Sequence, residues 1–339
     1  VLWVLVIMVL AASAFSLWVD KARTQAAERQ QTLEAKRRAS DLLAKVLYTQ
    51  LTGMKGAEGV AWPGLPGEVV APASFDSLDD FMSGAPPRLS SNTAAGLMPL
   101  DGTVLDAGEG LRVMIQDRGG LIGLSFLEGM DVFRGVAGLS KQAEISAERL
   151  RDTLFDYQDP NGYRRPLGAE SHQYNQAGMS PPLDGFLRHP LSLREVMVWN
   201  QVLADKSDAW LLGTFREEGD GNVNVNTAPP SVLELLVPAP AALNAILERR
   251  KKGPFTSVNQ LHAFGDVGGE DPPFTIVPSS GIRFWWWREN DHTAQVYDVQ
   301  FSPLNSGRDA WYFNWTTRVA LPDDLAKSTA TATDHPFFR

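Results

Sequence analysis

The first nineteen positions, VLWVLVIMVLAASAFSLWV, carry no charge, and the first ionisable side chain is Asp20. As a helix rising 1.5 Å per residue, Val1 to Val19 cover roughly the ~30 Å hydrocarbon core of a bilayer. Val1, Leu5, Leu10, Phe15 and Val19 are therefore expected inside a membrane-spanning segment. A secretory signal peptide is the rival, with a shorter apolar region of ~7–15 residues ahead of a small-residue cleavage site such as AASAF. The residues after Val19 decide for the span. From Asp20 to Met54 there is no proline, no glycine before Gly53, and an abundance of Ala, Gln, Glu, Lys, Arg and Leu, all good helix formers. Leu43, Val46, Leu47, Leu51 and Met54 recur at helical spacing. The pattern predicts one continuous helix of ~50 residues, ~75 Å long. Its segment from Asp20 to Lys45 carries seven positive and four negative charges, as on a solvated, laterally packing rod.

Beyond the helix the punctuation changes. Gly56 to Pro87 is dense in glycine and proline and reads as loops with short extended pieces. In LRVMIQDRGGLIGLS, Leu111, Val113 and Ile115 alternate with Arg112, Met114 and Gln116. That predicts a half-buried strand, a turn at Gly119-Gly120 and a second strand. Asp131 to Glu217 turns to a helical period, in AEISAERLRDTLFDY and SLREVMVWNQVLADK, and helices persist through Phe264. From Ile282 the stretches IRFWWWRE, QVYDVQF and AWYFNWTTRVAL are aromatic and β-branched, hence strands. A β-layer interrupted by a helical insertion is the reading. The boundaries are an N-terminal helix over 1–55 with 1–19 in the membrane, a first β-part over 56–130, an α-insertion over 131–278, further strands over 279–325 and a tail over 326–339.

Composition narrows the function. The chain has 339 residues and 44 % hydrophobic content, enough for a core. Its 31 Lys+Arg against 40 Asp+Glu give a net charge of -9, which opposes general attraction to a polyanion. There is no cysteine, so disulfides and thiolate metal sites are excluded. His172, His189, His262, His292 and His335 stand at no mutual i, i+3 or i+4 spacing, which argues against a nitrogen-based catalytic metal site. No nucleophile elbow, phosphate loop or zinc motif is present, so an enzyme is not expected.

Two stretches carry candidate chemistry. LFDYQDPNGYRRPLGAESHQY places Asp156, Asp159 and Asn161 within six residues, then a Gly162 turn and Glu170. Hard oxygen ligands in a glycine-bearing loop suit calcium. Asp and Asn serve equally to cap helices and satisfy turns, and Arg164 and Arg165 in the same loop are rival neutralisers. The second stretch, Gly219 to Phe264, has the look of a helical hairpin that grips DNA, with Arg249, Arg250, Lys251 and Lys252 as its basic run. DNA-gripping hairpins use a glycine turn so that backbone N–H groups can approach a phosphate. Here the turn, VPAPAALN, has Pro238 and Pro240 and no glycine. The hairpin reads better as a packing unit with Val232, Leu235, Leu236, Leu243, Ile246 and Leu247 as its seam, capped at Asn226 or Thr227 and opened by Pro229. A membrane-anchored DNA-binding module of an uptake-type system is the alternative function.

Several blocks, in order, resemble the K-type minor pseudopilins of the bacterial type II (general) secretion pathway. VLWVLVIMVL is similar to that family's N-terminal segment and LRVMIQDRGGLIGLS to its first strand pair with an acidic turn. LFDYQDPN followed by GAESHQY resembles its D-W-x-D-x-D and G-A-E-D-x-Y pair, with Tyr157, Asn161 and Ser171-His172 as departures. LSLREV resembles its short helix-start block, and VNVNTAPPSVLELL with GPFTSVNQL its second helical subdomain. The resemblance implies an α+β pseudopilin fold: a long N-terminal helix packed on a small antiparallel sheet, with a large inserted all-α domain that contains a helix-hairpin-helix-like (SAM-like) subdomain. It implies a single-pass inner-membrane protein with its bulk in the periplasm. Its place would be the tip of the pseudopilus, capping it and nucleating assembly with I-type and J-type minor pseudopilins, and with H-type and major pseudopilins as further partners. It raises the expectation of calcium at Asp156, Asp159, Asn161 and Glu170. It also implies leader removal by the prepilin peptidase; since the sequence starts at Val1 without Met, a processed or trimmed start is expected, and the position equivalent to the mature fifth residue is not assigned.

Overall fold

The computed structural model describes residues 2–53, 55–57, 59–61, 97–125, 127, 129–140, 145–219, 222–265, 267, 273–302, 309–328 and 330–332. Val1, Met54, the expected loops of Gly56 to Pro87 beyond Ala61, and 333–339 of the expected tail lie outside the described residues. The chain divides into two compact units, Val1–Val46 and Leu47–Arg339.

Helix α1 runs unbroken over Leu2–Thr52, 51 residues, so the expected rod is present. It is also long and apolar enough at its N-terminal end to cross a membrane. Burial sets in at Ala39 and recurs at Leu42, Leu43, Val46, Leu47 and Gln50, the helical period. The helix ends at Thr52, and the next position leaves no room for a side chain. A Cβ there would lie 2.3 Å from the carbonyl oxygen of Ala61 and 2.6 Å from that of Thr49, so only glycine fits.

Short strands β1 (Lys55–Gly56), β2 (Gly59–Ala61) and β3 (Leu97–Met98) form a small sheet. Strands β4 (Asp101–Asp106) and β5 (Leu111–Asp117) open the main one. A 3-10 turn, Arg118–Gly120, leads to β6 (Ile122–Gly123). The chain then builds α2 (Met130–Gly138), α3 (Ala147–Gln158), α4 (Ser171–Gln176), α5 (Trp199–Val202) and α6 (Asp208–Thr214). After β7 (Phe215–Arg216) and β8 (Val223–Asn224) come α7 (Pro230–Leu236), α8 (Pro240–Lys251) and β9 (Phe274–Thr275). Strands β10 (Gly281–Arg288), β11 (Thr293–Phe301) and β12 (Trp311–Ala320) return to the main sheet, followed by α9 (Asp323–Ala326) and β13 (Thr331–Ala332).

The main sheet has the order β12-β11-β10-β5-β4-β13, antiparallel except for the β13–β4 pair. Thus β5 and β10 are hydrogen-bonded neighbours although the whole helical block lies between them in sequence. The expected α+β layout is present: a long N-terminal helix, an antiparallel sheet, and a mainly helical block inserted between strands. The block has its own core, in which Phe133, Leu150, Leu154, Trp199, Phe215, Leu233 and Ile246 are almost wholly buried. It meets the sheet through α6, whose Ala209 and Leu212 join Trp285, Trp287, Val296 and Val319 in a second cluster.

Three local expectations change. Strand β5 is buried on both faces, Met114 and Gln116 included, because it lies between β4 and β10 with cores on either side. The Gly119-Gly120 turn does not lead to a hairpin; β6 leaves the main sheet and pairs in parallel with β7. SLREVMVWNQVLADK is not one helix. Pro190–Glu195 forms a 3-10 turn capped by His189, the backbone then extends at Val196, and Val198 takes φ 72° before α5 begins. A β-branched residue at positive φ ends any helical run.

Candidate functional site

Ser146 caps α3 by accepting from the Arg149 N–H, and the helix presents Asp152 and Asp156, one turn apart, to the interior. The Arg165 backbone N–H and its Nη1 both donate to Asp156, the latter at 2.6 Å, and the same Nη1 donates to Asp159 Oδ2. Gly168 is forced by this arrangement, since a Cβ there would meet Asp156 Oδ2 at 1.9 Å. Asp159 Oδ1 accepts from the Asn161 N–H at 3.2 Å, and Asn161 Oδ1 accepts from the Tyr163 N–H at 2.8 Å, turn bonds of the kind Asx residues make. Glu170 forms a capping box with Gln173 at the start of α4, and its Oε1 is buried without a hydrogen-bond donor. Burial pushes the carboxyls of Asp156 and Glu170 above the usual range, with Arg165 opposing the shift in both and the neighbouring acids adding to it. Asp156 and Asp159 are thus joined by one guanidinium, Asn161 serves the backbone, and Glu170 lies within the same electrostatic neighbourhood. Among the described residues no group of three His, Cys, Asp or Glu side chains has the arrangement of a metal site.

The sequence blocks converge. Tyr157 OH donates to Glu195 Oε2 at 3.0 Å, joining LFDYQDPN to LSLREV. Tyr174, from GAESHQY, stands 6.0 Å from the Tyr157 ring and its hydroxyl accepts from the Met197 N–H at 2.8 Å. Burial lifts the Tyr174 hydroxyl to about 12, so it remains a neutral hydrogen-bonding group.

The hairpin α7–α8 buries Val232, Leu235, Leu236 and Ile246, with Leu243 and Leu247 partly buried against the same core. Pro229 is the N-cap position and the helix begins at Pro230. Neither Asn226 nor Thr227 caps it. Asn226 instead donates through Nδ2 to the carbonyls of Ala57, Phe255 and Ile276 and accepts from the Phe255 N–H. Of the basic run, Arg250 donates to the carbonyls of Val225 and Ala228, Arg249 donates to the Gly253 carbonyl, and Lys251 pairs with Glu248. Lys252 is the exposed C-cap. In α1, Leu5, Leu10 and Phe15 are 56 %, 64 % and 65 % exposed and Val19 is intermediate.

Two polar centres escaped the sequence reading. At the end of β5, Asp117 accepts five hydrogen bonds: from the N–H groups of Gly119 and Ser279, the hydroxyls of Ser279 and Thr227, and Asn224 Nδ2. One carboxylate therefore ties the sheet to the hairpin unit at both ends of the insertion. Next to it Arg118, Glu217, Arg283 and Asp298 form a buried cluster, Arg118 reaching Glu217 at 2.8 Å and Asp298 at 3.1 Å. Arg283 Nη1 also donates to the carbonyls of Leu212 and Phe215. The signal was in the strands: a single charge inside each of the apolar runs GIRFWWW and VYDVQF marks a buried partner across the pair.

With this geometry in hand, comparisons with known proteins gave one family. The family model described as Type II secretion system (T2SS), protein K matches residues 223–275, the stretch from β8 through the hairpin to β9. VNVNTAPPSVLELL and GPFTSVNQL both fall inside it, so the sequence resemblance is borne out there. No curated protein matches. Among solved structures, a chain of the GspK-GspI-GspJ complex from the enterotoxigenic Escherichia coli Type 2 Secretion System is similar, with 13 % identity, a TM-score of 0.49 and coverage of 89 % of this chain and 100 % of that one.

Proposed function

We propose that this chain is a K-type minor pseudopilin of a type II secretion system, a structural and assembly component without a catalytic centre. The match of residues 223–275 to the protein K family model carries the reading. The rest of the molecule agrees with it: a continuous apolar-to-charged helix suited to a single-pass anchor, and a helical block standing between two neighbouring strands. In this role the apolar end of α1 lies in the bacterial inner membrane and the bulk of the chain in the periplasm. The helical block rests on the sheet where a further subunit would otherwise stack, so the protein caps the pseudopilus tip. I-type and J-type minor pseudopilins are its neighbours, followed by H-type and major pseudopilins, after the prepilin peptidase has removed a leader. Arg249 and Arg250 hold carbonyls of the segments flanking the hairpin, Gly253 on one side and Val225 and Ala228 on the other, which favours a packing role for the basic run over a DNA interface.

The calcium expectation takes a specific form here. Arg165 supplies the positive charge between Asp156 and Asp159, so the residues fit the ion only if that guanidinium leaves. We propose that calcium, when bound, takes the place of Arg165 among Asp156, Asp159, Asn161 and Glu170.

The deciding experiment is co-purification of the full chain, in detergent, with the I-type and J-type minor pseudopilins of its own system, beside a DNA mobility shift at physiological salt. Stable pseudopilin complexes and no shift are expected. A salt-sensitive shift without pseudopilin binding would reverse the assignment.

A further inference from the structure

The two edges of the main sheet are finished differently. On one side β4 is covered by β13. On the other, β12 is the outermost strand, and among the described residues nothing pairs with its outer side. At ten residues β12 is also the longest strand of the sheet. Of the usual devices against edge pairing it carries one bulge, at Asn314, and one charge, but WYFNWTTRVA has no proline and no lysine. Its single arginine, Arg318, is turned back along the sheet to the Thr293 hydroxyl on β11 at 2.8 Å.

The side chains of this edge are built to continue. On one face an aromatic ladder climbs outward from Phe284 on β10 to Tyr297 on β11 (ring centroids 6.5 Å apart), then to Phe313 on β12 (5.6 Å), with Trp311 set edge-on against Phe313 (5.2 Å). The ladder then ends in solvent: Phe313 is 40 % exposed, whereas Phe284 is fully buried. On the opposite face a bulge at Asp298/Val299 turns Asn314 toward Asp298 Oδ1, at 2.7 Å. Beside Asn314 opens a cleft of ≈ 930 Å³, walled by Gln300, Glu218, Arg188, Leu183 and Phe186.

We propose that β12 is a docking edge for one extended strand of a partner protein, with apolar side chains at alternate positions, and that this strand extends the main sheet outward. The unpaired N–H and C=O groups of an edge strand are satisfied in full only by another extended backbone, which fixes the occupant's conformation. Strand alternation fixes its side chains: one set stacks on Phe313 and Trp311, and the other points toward the cleft at Asn314. The choice of partner rests on the proposed assembly role and falls on the I-type or J-type pseudopilin; the edge itself does not depend on it.

Backbone amide exchange over residues 311–320 tests this, measured on the full chain in detergent, alone and after mixing with the purified I-type and J-type pseudopilins of the same system. Slower exchange of the β12 amides in the complex is expected. Thr316→Lys, at an exposed position, should weaken the complex at least tenfold while leaving the melting temperature of the chain alone unchanged, and Phe313→Lys, which also gives up its packing on Tyr297, should weaken it at least as much. A complex that forms with β12 exchanging as before overturns the docking edge and leaves the assembly role standing. Failure to form any complex overturns both. Protection of 311–320 that rises with concentration in the chain alone identifies a second copy as the occupant and also overturns the proposal.

Discussion

Arg283 on β10 and Asp298 on β11 stand directly opposite each other in the sheet, and the guanidinium donates from Nε and Nη2 to the single oxygen Asp298 Oδ2 at 2.9 and 2.6 Å. Both side chains are wholly buried. A second guanidinium, Arg118, and the half-satisfied Glu217 complete the set, and burial pushes the Glu217 carboxyl upward. Removing one member of such a group leaves its partners charged in a medium that solvates them poorly.

Asp298→Asn keeps the shape and deletes the charge that serves both arginines. A loss of ~3–5 kcal/mol of unfolding free energy is expected, the cost of breaking a buried pair. The double replacement Arg283→Met with Asp298→Leu should recover much of it, because neither charge is then stranded. Urea denaturation of the three proteins measures this, and a single variant as stable as the parent would show that the cluster is hydrated after all.

The membrane segment is tested at Leu10, near its middle. Leu10→Arg should cost ~2.5–3.5 kcal/mol of insertion on translocon scales. The chain should then shift out of the membrane fraction and fail to support secretion. Normal fractionation would show that α1 does not anchor the protein by spanning the bilayer.

Much of this architecture was legible because it depends on period and punctuation. The absence of glycine and proline from Asp20 to Thr52 is enough to give α1, and the aromatic runs after Ile282 give β10, β11 and β12. What escaped depends on distant partners. Nothing in LRVMIQD says that β5 will pair with a strand more than 160 positions away and be buried on both faces. The acidic turn of DRGG reads locally as a helix or turn cap, which it is, yet four of the five hydrogen bonds to Asp117 come from Asn224, Thr227 and the N–H and hydroxyl of Ser279. Asn226 and Thr227 have the composition of caps, and the tertiary structure uses them as latches instead. In the acidic loop the sequence offered Arg164 and Arg165 alike as neutralisers of Asp156, Asp159 and Glu170, and local spacing could not say that the one guanidinium of Arg165 would bridge Asp156 and Asp159.

A third prediction concerns acid. The His189 ring lies 4.3 Å from Trp315, and its Nδ1 accepts from the Leu191 N–H at 3.2 Å, so the neutral ring caps the 3-10 turn. Burial first, and Arg283 second, lower its pKa to about 4, against the smaller opposing pull of Asp298 and Asp208. The unfolded chain titrates near ~6.5. Protons therefore favour the unfolded state between these values: the contribution is whole above pH ~6.5, declines as pH falls, and is exhausted below about 4. His189→Asn retains a capping oxygen and cannot titrate. Its melting temperature should fall less than the parent's between pH 6.5 and 4, and parallel curves would assign the acid sensitivity to carboxylates alone.

The last prediction separates arginine from calcium at the acidic loop. Arg165 makes charge-assisted bonds to Asp156 and Asp159 and lies over the Phe155 ring, 5.4 Å from its centroid. In chelator, Arg165→Gln should lose ~1.5–3 kcal/mol, the usual worth of hydrogen bonds to a charged group, because Asp156 is left buried and unneutralised. If calcium competes for the same position, the variant should then bind it more tightly than the parent. A hundredfold excess of the ion over its dissociation constant would restore ~2.7 kcal/mol. In the parent the same excess relative to its own, weaker dissociation constant gives the same gain, so at one fixed calcium concentration the variant's melting temperature must rise more. Asp159→Ala should abolish the rise in both backgrounds, since it removes a ligand from each arrangement. Melting curves of the parent and of Arg165→Gln that are identical in millimolar calcium and in chelator would show that the loop is held by Arg165 and turn hydrogen bonds, and that calcium has no place in it.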